Sequence, residues 1–295
     1  MTTLSQCPAC GETLQSPFLK CIDYTVSHET FSIVTCAQCQ FAFTNPYPDI
    51  SKLGNYYLST AYISHSSRPT GLMDHLYVFA RKQTLKWKTA LVKTHGGSNS
   101  TAILDYGCGT GDFLNTCKAN GWTTSGVEPS TVARQIATEK TQQKIYSSIE
   151  ELPPSTFDII TLWHVLEHIP ALHELLFALS NKLTQTGTIF IAVPNRSSWD
   201  ATYYRETWAA YDVPRHLWHF RQKDMHNIMR AHSLHVVCTI PMKLDAYYVS
   251  LLSEKYRHKK LNPLALIRSM VNGLRSNISA RETTEYSSLI YVIKK

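Results

Sequence analysis

The 295-residue chain contains no apolar run approaching the roughly 20 residues that a membrane-spanning helix needs. Residues 1–6 lack the basic region and the apolar segment of a secretory signal. Repeats and low-complexity tracts are also absent, and charged residues make up only 17% against 43% hydrophobic, which argues against long disorder. We therefore expect a folded cytoplasmic protein, with room for one domain of about 200 residues and an appendage of about 50.

Net charge is scarce over most of the chain and concentrated at its C-terminal end. The formal charge is +7, and residues 241–295 hold ten Lys and Arg against four Asp and Glu. A basic region of this kind can attract phosphate, nucleic acid or anionic lipid. Because these charges are scattered among Leu, Ile and Tyr, the pattern favours the solvated face of a helix.

Four of the eight cysteines stand in two closely spaced pairs near the N-terminus. In a cytosolic chain, Cys-x-x-Cys pairs favour metal ligation over disulfides, and four thiolates can surround one Zn²⁺ and close its coordination shell. We predict a structural zinc site in a small zinc-ribbon-like β module over residues 1–45. Coincidental free thiols are the alternative, and Cys21 could replace one ligand or simply be buried. The predicted ligands are Cys7, Cys10, Cys36 and Cys39.

From residue 101 onward, apolar strands alternate with amphipathic helices, an order that implies a parallel sheet with helices on both faces. Residues 46–100 are predicted to be a linker with a leading helix, one face of which carries Leu72, Leu76, Phe79, Gln83, Trp87 and Leu91. Residues 101–295 form the predicted main domain. Two long stretches, 195–220 and 241–285, interrupt its rhythm and are expected to be functional lids. Strands are predicted at 101–106, 123–128, 157–163, 187–193, 234–240 and 287–293, and helices at 112–120, 130–140, 172–183 and 221–232.

The segment from Asp105 to Asp112 joins a strand to a helix through the turn Gly-Cys-Gly-Thr-Gly. Ligands bind beyond the carboxyl ends of parallel strands, and Gly107 and Gly109 allow the backbone to approach a ligand closely. A dinucleotide fingerprint would have a glycine where Asp112 stands. An acid at the helix N-terminus would repel a pyrophosphate, so NAD is disfavoured.

Glu128 ends the next predicted strand, where a carboxylate can accept two hydrogen bonds from a ribose diol. The glycine turn resembles motif I of class I S-adenosylmethionine-dependent methyltransferases, and Glu128 and the strand–helix alternation strengthen the resemblance. The resemblance implies a doubly wound, mostly parallel, seven-stranded α/β sheet and S-adenosylmethionine as cofactor. The cofactor-binding residues that it implies are Asp105, Tyr106, Gly107, Cys108, Gly109, Gly111, Phe113, Glu128, Pro129, Ser148, Ile149, Trp163 and His164.

A second informative run, from Trp163 to His168, directly follows the predicted strand 157–163. His-x-x-Glu-His on a helix would resemble an inverted zinc-protease signature, but the preceding strand and Pro170 make a long metal-binding helix unlikely to form. The run resembles the strand-four segment of the same methyltransferases. Quinone O-methyltransferases carry Glu-x-x-Glu-His there, associated with a divalent metal, and this chain departs from them at His164. Glu167 and His168 therefore either position the neighbouring loop or act in catalysis.

Residues 195–220 concentrate Trp, His, Arg and Asp, the composition of small-ligand pockets rather than of surface loops. They resemble a bacterial group of uncharacterised methyltransferases that share Asp-x-Pro-Arg-His-Leu-x-His-Phe. We predict that this stretch closes over the acceptor and supplies an imidazole to take its proton. The predicted catalytic residues are His168, His216 and His219 as bases, Glu167 or Asp212 as orienting partner, and Arg215 as a clamp on an anionic substrate.

Three functions are consistent with the sequence. The leading hypothesis is in-line methyl transfer to a small-molecule or glycan acceptor, because the aromatic stretch would enclose a compact acceptor. An RNA methyltransferase that uses the zinc module and the basic C-terminal region is the second, and a cofactor-binding domain without activity is the third. Similar cysteine-rich leaders occur on sugar C-methyltransferases and on a ribosomal RNA methyltransferase, so the module does not choose the substrate.

Overall fold

The computed structural model describes residues 1–57, 72–97, 100–154, 156–259 and 262–295, with side chains in the helix after residue 71 described from residue 83. Its strands are β1 (Gln15–Ile22), β2 (Thr30–Cys36), β3 (Ala42–Thr44), β4 (Ala102–Tyr106), β5 (Thr123–Val127), β6 (Phe157–Trp163), β7 (Leu183–Pro194), β8 (Trp218–His219), β9 (His235–Pro241) and β10 (Ser288–Lys294). Its α-helices are α1 (Ile50–Leu53), α2 (Leu72–His95), α3 (Asp112–Ala119), α4 (Thr131–Thr141), α5 (Leu172–Lys182), α6 (Trp199–Tyr204), α7 (Gln222–Ala231), α8 (Asp245–His258) and α9 (Pro263–Thr283).

The larger sheet has six strands in the order β5-β4-β6-β7-β10-β9. Neighbours from β5 to β7 pair in parallel, and β10 is antiparallel to both of its neighbours. Successive residues of β6 face opposite sides: Ile159 packs in a core with Leu91 of α2 and Phe113 of α3, while Ile160 packs in a core with Leu176 of α5. This confirms a mostly parallel α/β sheet with helices on both faces.

The predicted seventh strand is reduced to one bridge in the described part of the chain. Tyr146 pairs in parallel with Val127 at the free edge of β5. Its amide donates to the carbonyl of Gly126 at 3.0 Å, and its carbonyl accepts from Glu128 at 2.9 Å. The next amide, that of Ser147, donates instead to the Glu151 carboxylate. The local turn therefore ends the pairing after one residue, and the count of seven is not confirmed.

The smaller sheet has the order β1-β2-β3-β8 and is antiparallel. Its fourth strand comes from the 195–220 stretch, where Trp218 pairs with Phe43. Phe41 lies between Phe43, Trp218 and Phe220 in a buried aromatic cluster. The N-terminal residues therefore share a sheet and a core with the stretch predicted to be the acceptor lid.

The two predicted lids are largely helical. The first contains α6, two short 3₁₀ helices and β8, and the second is the hairpin of α8 and α9. A Cβ on Gly273 of α9 would lie 2.6 Å from the Tyr247 ring, so the missing side chain lets the two helices approach closely. In the leading helix, Leu91 is buried as predicted, and Leu72, Leu76 and Phe79 lie outside the described side chains. No helix within the described residues is long and apolar enough to cross a bilayer.

Candidate active site

The glycine turn connects β4 to α3 with all three glycines at positive φ. The amides of Gly107 and Cys108 donate to the carbonyl of Val127, which fastens the turn to the end of β5. A Cβ on Gly107 would lie 2.5 Å from Val165, whereas a Cβ on Gly109 would have no atom of the described residues within 4 Å. The backbone at Gly109 therefore faces open space where a ligand can approach.

Two carboxylates frame this turn. Asp105 is buried at the end of β4 and accepts a hydrogen bond from Thr161 at 2.7 Å, and burial raises its pKa to about 7. Glu128 accepts from the amides of Gly109 and Ser130, both at 2.9 Å. Burial also raises the pKa of Glu128, although both amides oppose the shift. Each carboxylate lies at a strand end, as expected for a ligand that carries a ribose and a cation.

The remaining predicted cofactor residues are distributed around the same sheet edge. Phe113 packs edge-on against Trp163, with ring centroids 5.3 Å apart. The indole Nε1 of Trp163 is buried without a hydrogen-bond partner among the described residues. Tyr106 and Ser148 are half-buried, Cys108 and Ile149 are buried, and Pro129 is exposed.

Sequence reasoning missed two charged residues at this edge. Lys88 of α2 lies over the Trp163 ring, 4.3 Å from its centroid, and its charge opposes the rise of the Asp105 pKa. Asp245, the first residue of α8, contacts Nε2 of His164 at 3.2 Å. Both residues come from helices distant in sequence from the glycine turn, so no local motif could reveal them.

His164 and Glu167 form the first part of the predicted acceptor side. His164 has a φ of 57° just after β6, and its Nδ1 lies 3.4 Å from the Glu167 carboxylate. Burial alone would lower the pKa of His164, but Asp245 and Glu167 outweigh it and raise the pKa to about 9. Glu167 is fully buried; burial would raise its pKa, but the neighbouring imidazoles lower it. Its carboxylate is therefore ionised at neutral pH.

The structure brings His168 and His216 together beside Glu167. The two rings meet edge-on with centroids 4.5 Å apart, and the ligand atoms of all three residues lie within 4.8 Å of one another. His216 Nδ1 bonds the Ala210 carbonyl at 2.8 Å, and His168 Nδ1 lies 3.1 Å from the Arg215 carbonyl. Since a carbonyl only accepts, Nδ1 of His216 carries the proton and its Nε2 offers a lone pair. His168 Nδ1 also lies 3.0 Å from the Tyr57 hydroxyl, which can either donate or accept. Burial, followed by the charge of His216, lowers the pKa of His168 to about 4.

Arg215 and Asp212 are bound to each other inside the protein. The Arg215 guanidinium donates twice to Asp212, at 2.9 and 2.7 Å, once to Asp23 at 2.9 Å and once to the Tyr56 carbonyl at 2.8 Å. Only 3% of the Arg215 side chain is exposed. The hydrogen bond from Arg215 helps lower the pKa of Asp212 against the effect of burial. The predicted role of Arg215 as a substrate clamp has no support in this geometry.

His219 lies apart from the Glu167 cluster in its bonding. Its Nε2 is 3.0 Å from Thr44 Oγ1 across the β3–β8 pair, and burial lowers its pKa well below the usual value. Its ring packs edge-on against Tyr211. These contacts join the lid to the N-terminal sheet.

The four paired cysteines converge at the end of the smaller sheet. The Sγ atoms of Cys7 and Cys39 are 3.6 Å apart, those of Cys10 and Cys36 are 3.5 Å apart, and all four lie within 4.8 Å. A Zn²⁺ ion with Zn–S bonds of about 2.3 Å requires S···S edges of about 3.8 Å in a tetrahedron. The thiols therefore stand at a spacing that fits this ion. Arg221 donates to the Cys39 carbonyl at 2.8 Å, which ties the cluster to the residue that precedes α7.

Comparison with known proteins places this arrangement in a family. The chain matches the model of a methyltransferase domain over residues 63–239. It is 32% identical over 112 residues to the ubiquinone biosynthesis O-methyltransferase of Photobacterium profundum, covering 35% of this chain and 48% of the relative. The corresponding enzyme of Colwellia psychrerythraea is 30% identical over 139 residues, covering 44% and 56%. The chain thus spans about half the length of the curated relatives it matches.

Solved structures share the fold at low sequence identity. Magnesium protoporphyrin IX methyltransferase from Synechocystis PCC 6803 with bound SAH gives a TM-score of 0.54 at 13% identity, covering 84% of this chain and all of the other. The same enzyme with bound SAM gives 0.51 at 14% identity, covering 85% and 100%. Since the family model spans more than half of the chain, this protein belongs to the methyltransferase domain family.

Proposed function

We propose that the enzyme methylates a hydroxyl group of a small-molecule or glycan acceptor held beside Glu167, His168 and His216. One observation carries the proposal: the Glu167 carboxylate is fully buried, one oxygen has only the 3.4 Å ion-pair contact with His164 Nδ1, and neither oxygen accepts a well-formed hydrogen bond among the described residues. A buried charge in this condition costs free energy unless a partner completes it. An acceptor group that donates to this carboxylate would remove that cost.

The cofactor edge fits S-adenosylmethionine. Among the described residues, Gly109 faces open space, and the buried indole Nε1 of Trp163 has no acceptor. Lys88 would pair with the carboxylate of the methionine part, and Glu128 would accept hydrogen bonds from the ribose hydroxyls. When bound, the cofactor supplies an activated methyl group on its sulfonium. The protein then has to orient the acceptor and exclude water.

The acceptor side is arranged to move one proton. As the acceptor oxygen forms its bond to the methyl carbon, the carbon–sulfur bond breaks and the hydroxyl proton has to leave. The low pKa of His168 makes it a weak base, so we assign proton acceptance to Nε2 of His216. Glu167 then stabilises the imidazolium that forms. We assign Arg215 and His219 to positioning this lid, because their polar atoms are already bonded within the protein.

The first experiment identifies the acceptor and tests the cluster. Cell extracts are incubated with enzyme and labelled S-adenosylmethionine, and the labelled products are identified by mass spectrometry. With that acceptor, Glu167→Gln and His216→Asn should each reduce kcat by about 10²-fold with little change in cofactor affinity. The exposed pair Val132→Ser and Phe177→Ser is the control for nonspecific effects of substitution. Full activity in both cluster variants would remove these residues from the chemistry.

A divalent cation is a second occupant that the same cluster fits. The carboxylate and one nitrogen of each imidazole form a three-ligand set, and Nδ1 of His216 is held by a backbone carbonyl, as in many metal sites. Such an ion would lower the pKa of an acceptor hydroxyl and replace the need for a base. Dialysis against a chelator that leaves the cysteine-bound zinc in place, as checked by elemental analysis, followed by addition of Mg²⁺ or Mn²⁺, separates the cases. Unchanged activity favours the base, and metal-dependent recovery favours the ion.

RNA is the alternative acceptor. Phosphate contacts release counterions, so RNA binding would weaken steeply with salt. A filter-binding series over salt concentration distinguishes the two acceptor classes. Weak, salt-independent retention of RNA, together with a labelled small product, supports the small-molecule proposal.

We further propose that Cys7, Cys10, Cys36 and Cys39 bind one structural Zn²⁺. The tetrahedral spacing of their sulfur atoms supports it. Elemental analysis should find about one zinc per chain, and Cys10→Ser with Cys39→Ser should remove it. Protein purified without chelators that contains no zinc would contradict this assignment.

A further inference from the structure

Helix α9 turns its apolar side chains away from the protein. The residues that it buries are small or polar: Ala265, Ser269, Asn272, Gly273, Ser276 and Ala280. Its exposed side carries Leu264, Ile267, Val271, Leu274 and Ile278, which are 41% to 60% exposed. A helix on a globular protein normally buries its apolar side. This reversed polarity indicates contact with something outside the chain.

The five exposed residues form one stripe, here called the α9 stripe. They are spaced three, four, three and four residues apart, which keeps them on one side of a helix. Leu266 and Met270, 49% and 54% exposed, widen it. The α9 stripe is therefore a continuous apolar surface along most of the helix.

Polar bonds on the opposite side fix this orientation. Asn272 donates to the Tyr204 hydroxyl at 2.9 Å, and Ser276 donates to the buried Asp200 carboxylate at 2.7 Å. Rotation of α9 to bury the stripe would break both bonds and bury bulky side chains where Gly273 allows close packing. The exposure of the stripe is thus a consequence of how the helix is anchored.

The charge around the stripe selects the partner. Arg268, Arg275 and Arg281 are exposed on α9, which has Glu282 as its only acid. A second copy of this chain would bring like charges together along paired stripes, which is unfavourable. RNA would offer phosphates to the arginines but no cover for Leu and Ile. An anionic bilayer offers phosphates and acyl chains together.

We propose that the α8–α9 hairpin docks on an anionic membrane surface, with the α9 stripe lying in the boundary between headgroups and acyl chains and the arginines on lipid phosphates. The helix would lie in the plane of the interface. Asp245 at the start of α8 contacts His164 of the active site at 3.2 Å. Docking therefore sets the acceptor side of the enzyme close to the bilayer. The docking proposal does not depend on whether the acceptor is lipid-soluble.

Vesicle sedimentation of the full-length protein tests the proposal. Vesicles of phosphatidylcholine mixed with phosphatidylglycerol should sediment the protein, and pure phosphatidylcholine should do so much less. Ile267→Ser with Leu274→Ser should lower the partition coefficient about tenfold or more, since less apolar area is buried. Arg275→Gln with Arg281→Gln should lower it about tenfold and remove much of the salt dependence. Val132→Ser with Phe177→Ser, equally exposed on α4 and α5, should leave it unchanged.

Two outcomes would overturn the proposal. One is equal sedimentation of the stripe variant and the control, or none with either vesicle type. The other is a dimer in light scattering that Ile267→Ser with Leu274→Ser converts to monomer, without vesicle binding, which would make a second copy the occupant. Thermal unfolding should give each variant the melting temperature of the wild-type protein, because the substituted side chains are exposed.

Discussion

At the residue scale, the three glycines of the glycine turn serve different purposes. A Cβ at Gly107 would collide with Val165, and one at Gly111 would lie 3.0 Å from Ala137, so these two glycines permit packing. Only Gly109 faces open space. The sequence motif treats Gly107 and Gly109 alike, because the packing partners come from other elements. Substitution of Gly107 would therefore test the fold as much as the cofactor site.

Gly109→Ala should reduce S-adenosylmethionine affinity about tenfold or more, because the methyl group enters the space of the ligand and the backbone has to keep a φ of 53°. The positive φ alone should cost about 1 kcal/mol of stability. Gly121→Ala is the matched control, with a φ of 93° and open surroundings in the turn between α3 and β5. Calorimetry and thermal unfolding measure the two effects. Equal losses of affinity in both variants would contradict a direct role of Gly109.

We expect cofactor binding to be coupled to the release of a proton from Asp105. Its pKa of about 7 lies above the ordinary value of 3.8. Between pH 3.8 and about pH 7, the folded protein therefore keeps Asp105 protonated while the unfolded chain has lost that proton. The contribution of this proton to the free energy of unfolding falls as pH rises through this range. A sulfonium cation nearby favours the ionised form and would release the proton. S-adenosylmethionine affinity should rise about tenfold from about pH 6 to about pH 8.

S-adenosylhomocysteine provides the control for this prediction, since its sulfur is uncharged. Its affinity should change much less over the same pH range, and Asp105→Asn should flatten the profile of both ligands. Calorimetry in buffers of different ionisation enthalpy counts the protons released. No proton release with wild-type enzyme at neutral pH would exclude the coupling.

The sequence identified the individual site residues better than their partnerships. Glu167, His168 and His216 were each predicted, but their convergence depends on the chain returning after β7, which no local pattern shows. The sequence predicts Arg215 to be a substrate clamp because Asp212 is the only nearby residue in the chain that could pair with its charge. Asp23, its partner 2.9 Å away, lies in the turn between β1 and β2.

At the element scale, the predicted strands and helices of the main domain agree with the structure to within a few residues. Periodicity succeeds there because each element buries a regular apolar face. It fails for β8, which is two residues long, and for the seventh strand, where Tyr146 makes a single bridge. The helices α8 and α9 were read as a lid, since apolar side chains on an exposed face break the usual pattern.

Removal of zinc should affect catalysis more than cofactor binding. The cysteine cluster holds β2 and β3 in place, and β3 pairs with β8, which carries the lid that positions His216. Displacement of that histidine by about 1 Å would lower kcat by about 10²-fold. To check this prediction, the zinc is removed with a chelator, and kcat and S-adenosylmethionine affinity are measured in parallel. Equal losses of both, or loss of neither, would show that the cluster acts elsewhere.

At the scale of the whole molecule, the two sheets fold as one body. The sequence predicts a zinc-ribbon-like module over residues 1–45 beside a main domain over residues 101–295, because the cysteine spacing and the glycine turn each describe a complete unit. The shared sheet and the buried Asp23–Arg215 ion pair are long-range features. These features arise from tertiary packing, which local sequence patterns do not predict.

Deletion of residues 1–49 should therefore destabilise the enzyme. It would expose Trp218 and Phe220 and remove Asp23, one of the two carboxylates that hold the Arg215 guanidinium. Thermal unfolding and gel filtration should show a lower melting temperature and aggregates. A truncated protein that stays monomeric with the melting temperature of the full chain would restore the view of an independent module.

The pairing of β3 with β8 also has a consequence for biosynthesis. Thr44 and its partner His219 are separated by 175 residues, so at 5–20 residues per second the ribosome needs roughly 10 to 35 s to supply the second strand. All four cysteines have emerged by then, while β3 is still an unpaired apolar edge open to other chains. Early capture of a metal ion by the nascent chain would hold β2 and β3 in register through this interval. Zinc supply during translation, rather than after it, would then set the yield of folded enzyme.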